Sequence, residues 1–406
     1  MLRRFLRYVD RVFDFRASLQ TLRDSRHHPL ISCQTIFYCV FLLFVLRLGS
    51  LNALEAYYQQ RPRRRRWQAH LGQVPPSADT VGYSLMRFDC GRLREMIRGV
   101  YQRLQRNHLL GQIRLSGWSI VALDGHELFS SYSRCCSQCS TRRVHTLQGE
   151  KIQYYHRIVM AQLLGGHLAI PLDIEPIRSG EDEVAAGRRL MERLLKRYPK
   201  AFDVLAVDGL YGRAGFVNLL TRHSKHILFV LKENNPDLLE DAKGLFTSQV
   251  PCVREQDSRL YRRWDEEGFE PWPEVKGPLR VVRSLETHCK GKQLETSDWY
   301  WCTTLPKAIV STETICQIGH KRWEIENQGL NVLVNYYGLD HCFKHHPTAI
   351  VAFALICCLA YTLFQMFYWR NLKLPLPRRG SMQFVTYTLL ESLPEILQHP
   401  IHLKPD

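Results

Sequence analysis

The 406-residue chain lacks several features that mark specialised protein classes. No internal repeat or low-complexity tract stands out, which favours a globular rather than a disordered protein. Its 13 cysteines are odd in number and scattered through apolar and polar segments, so they do not resemble a secreted disulfide framework. No signal peptide is evident, because the first apolar run begins only near Ile31, behind a charged stretch that includes Asp10, Asp14 and Asp24. We therefore expect a cytoplasmic protein whose thiols stay reduced.

The chain has fewer acidic than basic residues. The chain has 39 Asp and Glu against 55 Lys and Arg, which gives a net charge of +16. Residues 1–110 hold 19 Lys and Arg against 7 Asp and Glu, so this front part supplies +12 of the excess. A polyanion such as double-stranded DNA would dock there.

The densest basic run is Arg61-Pro-Arg-Arg-Arg-Arg-Trp67. With its Trp, this run is suited to contact a DNA backbone, and its central arginines are the candidate contacts: Arg63, Arg64, Arg65 and Arg66. The alternative is a solvated loop. We favour DNA contact because the surrounding sequence is also basic.

Charge is absent from two long runs, Ile31–Leu46 and Pro347–Trp369. The second exceeds the roughly 18 residues that suggest a membrane helix. It is rich in small residues, carries Gln365 inside and follows a polar His-rich loop, all of which are compatible with a helix buried on every side. We favour a core helix and no membrane association, whereas a membrane span would make the protein dependent on detergent.

The length predicts two or three structural units. Patterning divides the chain into a basic helical DNA-binding domain (1–112), the first part of an α/β core (113–246), a β-rich insertion (247–297), the second part of the core (298–345) and a helical tail (346–406). Within the core, strand-like runs at Ile120–Leu123, Arg157–Leu164, His167–Ile174, Val204–Val207 and Ile227–Leu231 are interleaved with helices at Glu181–Tyr198 and Arg213–His223. The order β-β-β-α-β-α-β predicts a mixed sheet flanked by helices, with a hairpin at Gly165-Gly166.

Two of these predicted strands end on an aspartate. Asp124 follows Ile120–Leu123 and precedes Gly125, and Asp208 follows Val204–Val207 and precedes Gly209. An Asp-Gly pair at a strand end is by itself more often a turn than a catalytic site. Two carboxylates on the strands of one sheet, joined by a third, can converge on a divalent metal.

The third carboxylate is Glu326. We expect a helix from a cap at Ser311 to about Tyr337, and at 100 degrees per residue Glu326 points to its apolar face while Glu324 does not. A carboxylate there is costly unless it is paired or bound to metal, and Arg322, one turn earlier, is its nearest candidate partner. The alternative is an ordinary Arg–Glu pair on a helix surface.

A second metal site is conceivable at Cys135-Cys-Ser-Gln-Cys139. Cys136 and Cys139 form a C-x-x-C pair, and His145 or His156 downstream could complete a structural zinc knuckle. One such pair is a weak signal, and simple free thiols are the favoured alternative.

Three segments resemble the DDE signatures of insertion-sequence transposases of the IS-four group: Leu123-Asp-Gly125, Val207-Asp-Gly-Leu-Tyr211 and Arg322-Trp-Glu-Ile-Glu326. Similarity continues at 129–131, 155–156, 175–177 and 338–347, so it spans most of residues 115–370. The resemblance implies a ribonuclease-H-like catalytic domain that cleaves transposon ends and joins them to target DNA. It further implies that Asp124, Asp208 and Glu326 bind two Mg²⁺ (or Mn²⁺) ions, that Arg322 contacts a DNA phosphate, and that a homodimer brings two DNA ends together.

The chain departs from the group's pattern at two positions. Gly319 stands where the signature has Tyr, and Leu333 stands where it has Lys; Lys321 or Lys344 are the candidate substitutes. The β-rich insertion also has a counterpart in the group, and its Trp299 or Trp301 could stack on an unpaired base or simply pack. Two alternatives to a transposase remain open: a metal-dependent nuclease or resolvase of the same fold, and a non-catalytic DNA-binding protein derived from a transposase.

Overall fold

The computed structural model describes residues 1–147, 149–166, 168–290, 293–372 and 380–401, and its front part is helical as predicted. The helices are α1 (Leu2–Phe13), α2 (Phe15–Gln20), α3 (Cys33–Val45), α4 (Leu51–Gln59), α5 (Arg61–Leu71), α6 (Ala78–Leu85) and α7 (Cys90–Arg106), followed by a 3₁₀ turn at Leu110–Ile113. Serine hydroxyls cap three of them: Ser32, Ser50 and Ser77 each accept from the backbone N–H three residues on. This is the standard way to satisfy an exposed helix N-terminus.

A ten-stranded mixed sheet follows. Its strands are β1 (Ile120–Ser131), β2 (Ser140–Thr146), β3 (Gly149–Leu164), β4 (Ile170–Ile177), β5 (Val204–Val207), β6 (His226–Val230), β7 (Cys252–Gln256), β8 (Arg259–Phe269), β9 (Leu279–Lys290) and β10 (Gln293–Thr303). The order across the sheet is β2-β3-β1-β5-β6-β10-β9-β8-β7, and β4 pairs with β3. Strands β1, β5 and β6 run parallel, and the other pairs are antiparallel.

The first half of this sheet confirms the predicted mixed α/β fold. Strands β1, β3 and β4 are followed by α8 (Glu183–Arg197), β5, α9 (Ala214–Thr221) and β6, in the order expected of a ribonuclease-H-like domain. The predicted hairpin is present between β3 and β4, where Gly165 and Gly166 take φ values of 150° and 62° that favour glycine. His167, where the second strand of that hairpin was expected to begin, lies outside the described residues.

Sequence reasoning missed β2. Its residues, Ser140-Thr-Arg-Arg-Val-His-Thr146, are mostly exposed and polar, so they carry no apolar alternation to signal a strand. Strand β1 was expected to end at Leu123 but continues to Ser131 because its outer half pairs with β3. The sheet therefore extends further beyond Asp124 than the sequence indicated.

The β-rich region after helix α10 (Pro236–Thr247) also continues this sheet. Strands β7 to β10 form an antiparallel run, and β10 pairs with β6 through Trp301, Cys302 and Thr303. The insertion is thus joined to the core by backbone hydrogen bonds. Its predicted limits, 247–297, remain a proposal, and β10 crosses the later one.

The last helices return to the core and to the front of the chain. They are α11 (Thr312–Lys321), α12 (Asn331–Tyr337), α13 (Pro347–Met366), α14 (Met382–Glu391) and α15 (Leu393–Ile396), with π-helical turns at Ile325–Leu330 and Phe367–Asn371. Every residue of α3 and nearly every residue of α13 is buried, and these two apolar helices pack against each other. One segment of the described residues, Pro347–Asn371, is long and apolar enough to cross a membrane, and its apolar stretch is wholly buried in the protein. This agrees with the predicted core helix.

Buried ion pairs join the front helices to the sheet. Asp173 on β4 is 2% exposed, and its two oxygens accept from Arg94 of α7 at 2.8 Å and from Arg193 of α8 at 2.6 Å. Glu175 accepts from Arg189 at 3.0 Å and from Arg193 at 2.7 Å. Since buried carboxylates are costly unless paired, these contacts fix α7 and α8 against β4.

Candidate active site

Asp124 and Asp208 lie side by side on neighbouring inner strands of the sheet. Strands β1 and β5 are parallel neighbours in the register Ile120↔Val204, Val121↔Leu205 and Ala122↔Ala206. Continued for two residues, this register sets Asp124 beside Asp208, on strands that are about 4.8 Å apart. Both carboxylates therefore lie where the parallel pairing of β1 with β5 ends, although β1 itself continues to Ser131. Ligand sites in open α/β sheets form at the carboxyl ends of parallel strands.

Glu326 reaches the site from a π-helical turn rather than from the continuous α-helix that the sequence predicted. Helix α11 ends at Lys321, and the backbone then forms the turn Ile325–Leu330, in which Asn331 N–H donates to the Glu326 carbonyl five residues earlier. This turn packs against β1 and β3. A Cβ at Gly329 would lie 2.1 Å from Gln162 Oε1 of β3, so a glycine is needed for the turn to come this close. Such π-helical turns are frequent at functional sites.

Electrostatics place Glu326 near Asp124. Burial raises the pKa of Asp124 to about 6, the Arg322 guanidinium opposes this rise, and the negative charges of Glu183 and Glu326 add to it. Glu324 instead accepts from Lys321 Nζ through its side chain and from Gln162 Nε2 through its carbonyl. This supports the choice of Glu326 over Glu324, although the assumption of regular helix geometry behind that choice was wrong.

A further acid, Glu183, lies at this site and was missed. It sits in the first turn of α8, where the sequence suggested only a helix-opening charge. Its carboxylate accepts from Tyr211 Oη at 3.1 Å and forms an ion pair with Arg157. A Cβ at Gly125 would lie 2.0 Å from Glu183 Oε2, so the glycine after Asp124 makes room for this second carboxylate.

Asp208 is more open than Asp124. Its side chain is 41% exposed, and Lys232 Nζ lies 3.3 Å from its Oδ1. The glycine after it is again constrained, since a Cβ at Gly209 would lie 2.7 Å from the Val230 carbonyl oxygen of β6. Close packing thus explains the glycine in both Asp-Gly pairs. Only Asp208-Gly209 is also followed by a turn, since Asp124-Gly125 lies within β1.

Arg322 does not pair with Glu326 as the sequence suggested. It is 5% exposed, its guanidinium lies 4.7 Å from the centre of the Trp323 ring, and in the described part of the chain its Nε has no hydrogen-bond partner. The neighbouring Trp323 is 37% exposed. The expected Arg322–Glu326 pair assumed a continuous helix, which the break between α11 and the π-helical turn interrupts. Contact between Arg322 and a DNA phosphate remains a prediction.

The two departures from the group's pattern are part of the packing. A Cβ at Gly319 would lie 2.3 Å from Trp301 Nε1, and Leu333 is fully buried. Trp301 is itself buried and stacks on Trp299 at 6.1 Å, so Trp301 packs rather than offering a ring to an unpaired base. Of the proposed substitutes for the missing side chains, Lys321 is paired with Glu324.

The Cys pair lies in a compact cluster at the far end of β1. Cys136 and Cys139 meet His156 of β3 and His345 from the segment before α13; His145 on β2 is not in the cluster. Within the described residues, this is the one group of three or more Cys, His, Asp or Glu ligand atoms that all lie within 4.8 Å of one another. The acids at the strand ends are more widely spaced.

The basic run forms helix α5 rather than a loop. Its central side chains, Arg63 to Arg66, are exposed, and the Arg63 guanidinium lies 4.9 Å from the centre of the Tyr57 ring. Trp67 is fully buried, so it takes no part in a surface contact and the suggestion that it would help bind DNA is wrong. DNA contact by the four arginines remains a prediction.

One protein family matches this chain. The family described as "Transposase DDE domain" matches residues 130–363, which is more than half of the 406 residues. The matched region includes Asp208 and Glu326 and begins just after Asp124. No curated protein matches the chain.

Proposed function

Because the chain belongs to the Transposase DDE domain family, we propose that it is an enzyme that cleaves the DNA ends of an insertion sequence and joins them to target DNA. Asp124, Asp208 and Glu326 would be its catalytic carboxylates. The placement of these acids supports this proposal: parallel register sets Asp124 beside Asp208, and the charge of Glu326 adds to the rise that burial causes in the pKa of Asp124.

The donor set fits hard divalent cations. Members of this family generally use divalent metal ions, and carboxylate oxygens are the ligands that Mg²⁺ and Mn²⁺ prefer. Burial is the main reason that the pKa of Asp124 is raised; the Arg322 guanidinium opposes the rise, and the negative charges of Glu183 and Glu326 add to it. When bound by Asp124, Asp208 and Glu326, two such ions would activate a water or a 3′-hydroxyl and stabilise the leaving oxygen of a DNA phosphate.

The protein's own residues would prepare this site. Glu183, held by Tyr211 and Arg157, adds negative charge beside Asp124 and thereby favours a bound cation. Lys232 compensates the charge of Asp208 and would have to yield when Asp208 takes up a metal. Arg322, already beside the carboxylates, would balance the charge of the incoming phosphate.

The remaining partners follow from the same reaction. Family membership implies DNA binding, and the exposed arginines of α5 would hold the duplex through its phosphates. Bringing two DNA ends together would favour a homodimer. The protein would act in the cytoplasm of a cell whose DNA is not enclosed in a nucleus. The charge of the front helices supports the proposed DNA contact.

The test uses the purified full-length protein, Mg²⁺ and duplexes carrying the DNA that flanks its gene. The wild type is compared with Asp124→Asn, Asp208→Asn and Glu326→Gln, with Glu324→Gln as the matched control. We expect cleavage and joining to be lost in the three variants while DNA binding is retained, and to persist in the control.

The other possible outcomes would indicate a different third carboxylate or a different function. An inactive Glu324→Gln beside an active Glu326→Gln would refute the assignment of the third carboxylate. Cleavage without joining would indicate a nuclease. Sequence-specific binding by a wild type that never cleaves would indicate a non-catalytic DNA-binding protein.

A further inference from the structure

Four side chains from three separate segments meet beside the outer end of β1, further along this strand than Asp124. Cys136 and Cys139 come from the loop between β1 and β2, His156 from β3, and His345 from the segment between α12 and α13. We propose that this cluster is a structural Cys₂His₂ zinc site. This proposal does not depend on the proposed catalytic function, because the cluster contains none of the three catalytic carboxylates.

The distances are those of a tetrahedral zinc site. Zn–S bonds of about 2.3 Å and Zn–N bonds of about 2.0 Å imply edges of roughly 3.8 Å between two sulfurs, 3.5 Å between sulfur and nitrogen and 3.3 Å between two nitrogens. The two Sγ atoms are 3.7 Å apart. Three of the four sulfur–nitrogen distances are 3.1 to 3.3 Å, and the Nε2 atoms of His156 and His345 are 3.2 Å apart.

A cation explains this convergence better than hydrogen bonds do. Four atoms that all carry lone pairs point at one centre, and the few protons available on two thiols and two imidazoles serve only some of the close contacts among them. One Zn²⁺ accepts a lone pair from every ligand, and with two thiolates the site is electrically neutral. Tetrahedral S₂N₂ coordination is typical of zinc and does not suit Mg²⁺.

The residues around the cluster resemble those around a structural metal site. The backbone N–H of Cys136 lies 3.2 Å from Cys139 Sγ, which is the kind of outer contact that orients a thiolate ligand. The Phe129 ring covers one side, with its centre 5.5 Å from the rings of both His156 and His345. Cys139 and His156 are buried, so the cluster is largely closed to solvent, as structural zinc sites are.

Zinc here would fasten three parts of the fold together. The segment that carries His345 also carries Phe343, whose ring packs on Phe44 of α3 at 5.4 Å and on Phe353 of α13 at 4.7 Å. The same segment follows α12, which continues from the Glu326 turn. The site therefore ties the outer end of β1 and β3 to the apolar helices that join the front of the chain to its core.

The test measures metal bound to the full-length protein purified without chelator from zinc-supplemented cells. We expect about one zinc per chain in the wild type. Cys139→Ser should lose it, with an affinity drop of more than about tenfold in chelator competition, a loss that even an outer contact can cause. Cys135→Ser and His145→Gln are matched controls, since these neighbours lie outside the cluster, and they should keep the full zinc content.

Cobalt substitution guards against simple misfolding. Co²⁺ in the wild type should give the spectrum of a tetrahedral site with two thiolates, and His345→Cys should keep the metal while gaining a third thiolate-to-cobalt band. A wild type without zinc, an unchanged zinc content in Cys139→Ser, an unchanged cobalt spectrum in His345→Cys, or a Cys136–Cys139 disulfide in freshly prepared protein would each overturn the proposal.

Discussion

The indole ring of Trp301 lies against the backbone of Gly319, so closely that a Cβ at residue 319 would stand 2.3 Å from Trp301 Nε1. Gly319 belongs to α11 and Trp301 to β10, so this contact joins the helix before the Glu326 turn to the sheet. A larger residue at 319 would therefore require Trp301 to move or to be replaced.

We expect Gly319→Ala to lower the free energy of unfolding by about 1–3 kcal/mol, because the added methyl group overpacks a buried contact. Urea denaturation measures this. Gly99→Ala is the control: Gly99 lies inside α7 with nothing within 4 Å of the added Cβ, so there the substitution should stabilise by about 0.5–1 kcal/mol. In Trp301→Leu, the cost of Gly319→Ala should shrink. An equal cost with and without Trp301 would contradict the explanation.

The positions of Asp124 and Asp208 beside two strands could be predicted because the sequence pattern around each is local. Asp124 and Asp208 each follow four apolar residues, and β1 and β5 turn out to be parallel neighbours with the two aspartates in register. The choice of Glu326 also rested on a short pattern. The role of Glu326 stays a prediction, whereas the predicted continuous helix was wrong, because a π-helical turn leaves no mark in the hydrophobic periodicity.

What the sequence did not reveal depends on tertiary contacts. His345 lies 206 residues from Cys139, and no spacing rule links them. Glu183 looks like any acid in the first turn of a helix, and the burial of Trp67 inside a basic run follows only from the packing of α5. An apolar pattern predicts elements of structure well, whereas side chains that meet across the fold leave no pattern in the sequence.

The pKa of Asp124 predicts how stability changes with pH. Burial raises this pKa from 3.8 to about 6, so the folded state binds the proton more tightly than the unfolded chain does. The stability that the folded state gains by binding this proton more tightly is fully present below about pH 4. It is lost as the pH rises through about 6. In chelator, Asp124→Asn should therefore be more stable than the wild type at pH 7.5, by at most about 3 kcal/mol, and the gain should vanish near pH 4.

Urea denaturation at a series of pH values measures this difference. Asp208→Asn is the control, because Asp208 is 41% exposed and paired with Lys232, and no comparable gain is expected. Adding Mg²⁺ should stabilise the wild type more than Asp124→Asn, since the metal offsets the cost of the buried charge. A gain in Asp124→Asn that is the same at pH 4 and pH 7.5 would show that the ionised carboxylate is not its source.

Asp173 should be the most costly carboxylate to remove from the region between α7 and β4. It holds Arg94 at 2.8 Å and Arg193 at 2.6 Å, and Asp173→Ala leaves both cations without this partner in a buried place. We expect a loss of about 3–5 kcal/mol in the free energy of unfolding. Glu192→Ala, which removes an exposed pair with Arg188 on α8, should cost less than about 1 kcal/mol. Similar losses in the two variants would mean that the buried network contributes no more than a surface pair.

The four arginines of α5 should set the salt dependence of DNA binding. Arg63 to Arg66 are exposed on one short helix, where successive residues face different directions, so only some of them contact the same duplex. Each phosphate contact contributes about −0.9 to the slope of log K against log salt, so replacing all four with Ala should make that slope shallower by about 1 to 3. Fluorescence anisotropy with a labelled duplex at several salt concentrations gives the slope. The matching Arg→Lys quadruple variant keeps the charge and should keep the slope, and a slope unchanged in the Ala variant would place the DNA on another face of the front helices.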